Sequence, residues 1–519
     1  MNPNKKGKKE MKKMLKLLLV FAFAVVQFLP YVNVSAQHGK NDNSGEITIT
    51  NVKAGQTYKV YQVLILESYD TEKEAYTYKV NPTWTTFLTT GEGKDYVTVE
   101  SGTNIVTWKE DADAKAFSEK ALDYAKKNSI AETAKIEVPK TPAQPTEPVK
   151  FTGLNLGYYL VDSTLGALCN LTTTNPTVSI TEKNEIPTVD KEVKEDSTND
   201  FGNTNNDQVG ATVYFQTTIN AQNGAENYVL YDKMDEGLTL NPSSIAIVLK
   251  RTTQDEQTKE DKVVETKLEK DTDYTVSTTT PNYTFTIDFE KTLEDTLVTG
   301  DKIVVSYNAI INEKAVVGST GNVNKTHLVY GDNNESNYDE TRTYTFGFNL
   351  IKVNNKNEQL SGAEFNLYDA ATGGNMINLV KTEDNTYRVA TTEEINAEGF
   401  KSAPIVAGNV TIKGLDDDAS YYLEETIAPD GYNKLTSRVE VRLTGTIAAD
   451  NTSSVVVSGA QSTTVEYKQD TISIINITGT LLPSTGGMGT VLFVTIGSIL
   501  VIGFGVLLVT KLRVSKMAL

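Results

Sequence analysis

Arg438-Val439-Glu440-Val441-Arg442 alternates charged and β-branched residues with a period of two. In a strand that period puts both valines on one face and the charges on the other, so one side is buried and one is wet. The pattern recurs in Glu46-Ile47-Thr48-Ile49-Thr50, Thr212-Val213-Tyr214-Phe215-Gln216 and Lys302-Ile303-Val304-Val305-Ser306-Tyr307, with Gly, Asn and Asp clusters between the runs. Short strands separated by turns predict an all-β chain of sandwiches, not a βαβ sheet. One segment departs from the period. Over 111–128, Phe117, Ala121 and Tyr124 share a helical face among Lys and Glu, which predicts a helix inserted in the first sandwich.

The two ends read as addresses. Lys5, Lys6, Lys8, Lys9, Lys12, Lys13 and Lys16 precede an apolar stretch over 17–29, and Val34-Ser35-Ala36 supplies small residues for cleavage, so residues 1–36 read as a secretory signal. At the other end stand Leu482-Pro483-Ser484-Thr485-Gly486, an uncharged run over 491–510, and then Lys511, Arg513 and Lys516. At about 1.5 Å per residue such a run crosses a hydrocarbon core, and the cations behind it stop on the cytoplasmic side. The signal carries net +6 and the tail net +3, so the body between them stands at −27 against −18 for the whole chain. That acidity excludes nucleic acid as a partner, since phosphate binding needs clustered cations. A single cysteine, Cys169, lies in an apolar stretch and reads as a core thiol; no internal disulfide is possible.

Prolines and strand restarts divide the body. Residues 135–150 hold Pro139, Pro142, Pro145 and Pro148 and read as a long loop within the first domain. Pro187 marks one junction, and the strand Phe346-Gly347-Phe348-Asn349-Leu350-Ile351-Lys352 restarts after another near 341–346. The expected organisation is a signal (1–36), three domains (37–186, 187–342 and 343–478) and a sorting tail (482–519).

The tail resembles the cell-wall sorting signal of Gram-positive surface proteins, in which a membrane transpeptidase, a sortase, cuts between Thr and Gly and passes the Thr carbonyl to an amine. Phe365-Asn366-Leu367-Tyr368-Asp369 and Tyr421-Tyr422-Leu423-Glu424-Glu425-Thr426-Ile427-Ala428-Pro429-Asp430-Gly431-Tyr432 resemble the CnaB-type immunoglobulin-like domain of pilins and adhesins, the second string being its E-box. The resemblance implies that an early-strand lysine and a late-strand asparagine join covalently in the core with the E-box glutamate as catalyst: here Lys352, Asn476 and Glu425. Glu425, not Glu424, directly precedes Thr426 in the motif. The residue types suit the reaction. Desolvation strips the proton from a buried lysine and keeps it on a buried carboxyl. The acid then polarises the carboxamide and shuttles protons while ammonia leaves. Each such reaction happens once per molecule, which makes it self-modification and not enzymatic turnover.

Gly210-Ala211-Thr212-Val213-Tyr214-Phe215 and the string from Tyr228 through Asp232 to Gly237-Leu238 resemble the related D2-type domain. Its candidate residues are Lys191, Asp232 and Asn324, with Asn322 an alternative amide and Asp288 or Glu290 alternative acids. The first domain carries Leu156-Gly157-Tyr158-Tyr159-Leu160-Val161-Asp162 where an E-box would stand, without Glu-Thr, and no internal cross-link is expected there. Its end, Ile180-Thr181-Glu182-Lys183-Asn184, resembles the pilin motif whose lysine accepts the next subunit's Thr carbonyl. Lys183 is the candidate, Lys194 its rival; the family usually shows Tyr-Pro where Thr181-Glu182 stand.

With only His38 and His327, no zinc site or catalytic triad is expected, and no metal or cofactor. Asp416-Asp417-Asp418 and Asp332-Asn333-Asn334-Glu335 read as solvated acidic turns. The resemblance implies a backbone pilin, secreted and fixed to the wall, whose partners are further copies of itself, sortase, minor pilins, peptidoglycan and host surface ligands. The alternative is a monomeric wall-anchored adhesin or a minor pilin.

Overall fold

A computed structural model of the chain describes residues 37–38, 43–70, 75–140, 147–173, 177–222, 225–255, 259–478 and 488–516. The sorting pentapeptide 482–486 and the signal 1–36 lie outside them, as do the side chains of His38 and Cys169.

The alternating runs form six sheets that pair into three sandwiches. In the first, an eight-stranded sheet built on the long strand Thr57–Asp70 faces a three-stranded sheet ordered Thr177–Thr181, Gly45–Thr50, Val149–Leu154. Ile47, Ile49, Tyr58, Val60, Phe151 and Val161 fill the space between them. The far half of Thr57–Asp70 packs instead under the predicted helix, Ala114–Lys127, where Phe117 and Ala121 meet Trp84 and Phe87. Asp113 caps that helix by accepting from the amides of Lys115 and Ala116, and Lys126 and Lys127 complement its C-terminal dipole. Of the proline-rich stretch, Ala134–Glu137 is a strand and 141–146 lie outside the described residues.

The second sandwich opposes two seven-stranded sheets and the third two six-stranded sheets. One continuous apolar core runs through both and takes in Leu165 from the first. The joints are short. Only Thr345 separates the strands Asp339–Tyr344 and Phe346–Asn354, and its hydroxyl donates to the Leu415 carbonyl at 3.2 Å. The turn at Asp332, expected to be a solvated loop, grips the first sandwich. Asp332 N donates to the Thr164 carbonyl at 3.0 Å, and its carboxylate meets Lys126 at 3.0 Å and Lys59 at 3.4 Å. After the last sandwich, Met488–Lys516 is a helix whose segment Leu492–Ser515, with mean hydropathy 2.7, is long and apolar enough to cross a membrane.

Candidate functional site

In the third sandwich, the strand Phe346–Asn354 lies between Asn409–Leu415 and Thr471–Asn476, parallel to the latter with Lys352 opposite Ile474 and Asn354 opposite Asn476. The pleat that buries Phe348 and Leu350 also buries Lys352 completely. Its Nζ donates to the Ile474 carbonyl at 2.9 Å. Burial pushes its pKa down to about 8, against the partial pull of Glu425. Glu425 arrives from the facing sheet, on Ser420–Ile427, where Tyr421, Leu423 and Glu425 alternate inward. Its Oε2 accepts from Leu435 N at 2.7 Å, and its Oε1 accepts from Asn476 Nδ2 at 2.9 Å. Glu424 points outward to Arg438 at 2.9 Å. The Oδ1 of Asn476 is buried without a partner. A half-turn of the carboxamide exchanges its two ends and sets that oxygen against the acid.

In the second sandwich, Lys191 (on Thr188–Lys194), Asp232 (on Val229–Met234) and Asn324 (on Asn322–Tyr330) are all fully buried. Lys191 Nζ meets Asp232 Oδ2 at 2.6 Å. Desolvation drives the lysine's pKa down and the carboxyl's up, each partly offset by the other. Both shifts favour the neutral forms, amine and carboxylic acid. Asn322, the alternative amide, is used otherwise. Its Oδ1 accepts from Val316 N at 2.9 Å and its Nδ2 donates to Val316 and Thr343 carbonyls, both at 3.1 Å. Gly237 leaves room for it, since a Cβ there would collide with its oxygen. Asp288 and Glu290 are exposed.

One member of this cluster was missed in the sequence. Tyr307 lies at its centre, its hydroxyl donating to Asp232 Oδ2 at 2.6 Å and accepting from Asn324 Nδ2 at 3.1 Å and from Lys191 Nζ. The signal was present: in Lys302–Ile311 the pleat turns Ile303, Val305 and Tyr307 inward, and a buried phenol needs a polar partner.

The first sandwich holds no such cluster among its described residues. Asp162 is fully buried on Gly157–Ser163 and burial raises its pKa to about 7, yet neither oxygen makes a well-formed hydrogen bond. Lys59, opposite it in register, turns its Nζ to Asp332 instead. Lys183 is exposed between two buried neighbours, Glu182 and Asn184. Glu182 N donates to the Thr50 carbonyl at 2.9 Å, a bond that proline in its place cannot make. Its Oε1 accepts from Asn184 N at 2.8 Å, and Asn51 Nδ2 donates to its carbonyl at 2.8 Å, which fixes the backbone on both sides of Lys183. Lys194 is half-buried within a strand.

At the joint between the second and third sandwiches, carboxylate oxygens of Asp196, Asp207 and Asp416 lie within 4.8 Å of one another, as do those of Glu195, Asp196 and Asp418. These are oxygen-only donors of the kind hard cations take. Asp416, expected in a solvated turn, is buried by this packing and accepts from Asp418 N at 3.2 Å. Burial raises Asp207 to about 7 and Asp416 to about 6.

Tandem β-sandwiches, two of which seal a lysine, a carboxyl and an asparagine in the core, followed by one membrane-length helix, define the class of protein. Within it, residues 346–458 match the family model described as SpaA, a prealbumin-like fold domain. The chain is 27% identical over 253 residues to the trypsin-resistant surface T6 protein of Streptococcus pyogenes serotype M6, a match covering 38% of this chain and 46% of that one. It thus spans about half the length of the curated relative it matches. Among solved structures it is similar to the T6 backbone pilin of serotype M6 Streptococcus pyogenes (TM-score 0.46, 17% identity, 84% of this chain and 98% of that chain). It is also similar to the full-length RrgB pilus protein of Streptococcus pneumoniae (0.43, 15%, 86% and 100%) and the full-length major pilin SpaD of Corynebacterium diphtheriae (0.41, 15%, 87% and 100%).

Proposed function

We propose that this chain is the backbone subunit of a covalently polymerised surface pilus, stiffened by one internal Lys–Asn amide in each of its second and third sandwiches. The observation that carries the proposal is the pair of buried Lys–carboxyl–Asn clusters. A buried lysine and a buried acid cost free energy unless they are used or paired. Each core also buries an asparagine whose side-chain nitrogen meets the acid or the acid's hydroxyl partner and whose oxygen is left without a partner.

The chemistry follows from the residues. Neutral Lys352 Nζ attacks the Asn476 carboxamide carbon while protonated Glu425 holds the carbonyl oxygen. The Nζ–C bond forms, the C–N bond to the amide nitrogen breaks, and a proton shed by Nζ goes through Glu425 to the departing ammonia. In the second sandwich Lys191 and Asn324 are joined by the same exchange of bonds, with Asp232 as the buried acid. Each reaction is a single event that leaves a permanent cross-link.

Between subunits, sortase cuts after Thr485 within Leu482-Pro483-Ser484-Thr485-Gly486 and transfers its carbonyl to Lys183 of the next copy. Its exposure on a backbone pinned at both neighbouring residues supports Lys183 as that acceptor. The helix Met488–Lys516 holds the precursor in the membrane until then, and the last subunit added joins peptidoglycan. Minor pilins and host surface ligands complete the partners.

Wall extracts run on a denaturing gel test the assembly. A ladder of high-mass species is expected, and it disappears with Lys183→Ala. A single wall-linked band in both strains would favour a monomeric adhesin instead.

A further inference from the structure

We infer that Tyr307 is a catalytic residue of the second sandwich, relaying the proton between Asp232 and the departing nitrogen of Asn324. The inference rests on the cross-linking reading above and concerns how one of the two bonds is made.

The two clusters differ in how far their acids reach. Glu425 touches the Asn476 amide nitrogen itself, at 2.9 Å. Asp232 is one methylene shorter, and its Oδ2 accepts from Lys191 and Tyr307, not from Asn324. The Tyr307 hydroxyl fills the interval, 2.6 Å from the acid and 3.1 Å from the amide nitrogen. It also contacts the attacking Nζ. One hydroxyl thus touches the nucleophile, the acid and the leaving group, and it can receive a proton from one side while giving one on the other.

The ring is held for this purpose. It stacks on Phe215 with centroids 5.5 Å apart and meets Phe285 edge-on at 5.0 Å. Burial and the adjacent Asp232 keep the phenol well above its ordinary pKa, so it stays protonated and acts by passing protons.

Lys191 Nζ bonds to the Asn324 carboxamide carbon and sheds a proton to Asp232. Tyr307 gives its proton to the amide nitrogen as the C–N bond breaks and takes one back from Asp232. Ammonia leaves, and every side chain but Lys191 and Asn324 ends as it began. In the third sandwich Glu425 needs no intermediary.

The test is Tyr307→Phe, which keeps the ring and removes the hydroxyl. The full chain is sampled during cell-free synthesis, and peptides spanning each bond are weighed. The 191–324 bond is expected to form at least ~100-fold more slowly, in line with general acid–base contributions, while the 352–476 bond forms at the wild-type rate. Equal rates of the 191–324 bond in wild type and variant overturn the inference while leaving the cross-linking reading intact. Absence of that bond from wild type overturns the reading itself. If the Phe variant does not fold, 3-fluorotyrosine at 307 keeps the hydroxyl and makes it more acidic. A several-fold change in rate then supports the relay, and an unchanged rate overturns it.

Discussion

The first and third sandwiches each bury a carboxyl on the corresponding inner strand, Asp162 and Glu425, and do opposite things with it. Glu425 is surrounded by use: an amide nitrogen on one oxygen, a backbone amide on the other, and a buried lysine within its field. Asp162 has neither well-formed hydrogen bonds nor a buried amine, and Lys59, opposite it in register, contacts the interdomain Asp332. A buried acid alone is a cost. Only the sealed lysine and the facing asparagine turn it into chemistry, and those two arrive from the first and last strands of the domain.

The largest effect that can break this contrast is loss of a cross-link. Each bond closes a loop of over a hundred residues, so Lys352→Ala or Lys191→Ala is expected to remove roughly 5 kcal/mol by unfolded-state entropy. The loss should appear as thermal and protease sensitivity of that sandwich alone, with the chain heavier by one ammonia. An equal loss in the first sandwich would remove the distinction between them.

Next in size is Asp162→Asn. Burial raises the native carboxyl to about 7 from the ordinary 3.8, so the folded state holds its proton where the unfolded chain has released it. Stability from this group is complete below about pH 4 and is lost as pH rises through 7. The amide has no such dependence. It should therefore gain up to ~4 kcal/mol on the wild type at pH 8 and little at pH 4, read as melting of the first sandwich at the two values. A parallel pH dependence in both proteins would mean that Asp162 is not a burden.

A subtler effect sharpens the account of the third sandwich. The attacking Lys352 must be neutral. With its pKa depressed to about 8 by burial, formation of the 352–476 bond should quicken about tenfold per pH unit below that point and level off above it. A rate that keeps climbing to pH 10 would mean that burial does not depress the lysine.

Much of this was legible in the sequence because strands declare their faces. Alternation around Val439 and Val441 gave the sandwiches, and the spacing of Phe117 and Ala121 gave the helix. Lys352, Glu425 and Asn476 were singled out by the E-box resemblance and not by composition; all three are buried, and Asn476 meets Glu425. Tyr307 was not legible. An inward tyrosine reads as core, and its partner Lys191 is 116 residues away in the chain. The acidic turns at Asp332 and Asp416 misled for a related reason. Composition says that such turns face water, but here each meets a neighbouring domain, and nothing local encodes that. The turn before Lys183 departs from the Tyr-Pro pattern, and the bonds of Glu182 to Thr50, Asn51 and Asn184 hold it without them.

The central claim is that two lysines and two asparagines are joined inside this chain, and intact mass of the folded body, followed by mapping of the joined peptides, tests it most directly. The account predicts a chain lighter by two ammonia molecules, with Lys191 linked to Asn324 and Lys352 to Asn476. A mass equal to that of the unmodified sequence would contradict it.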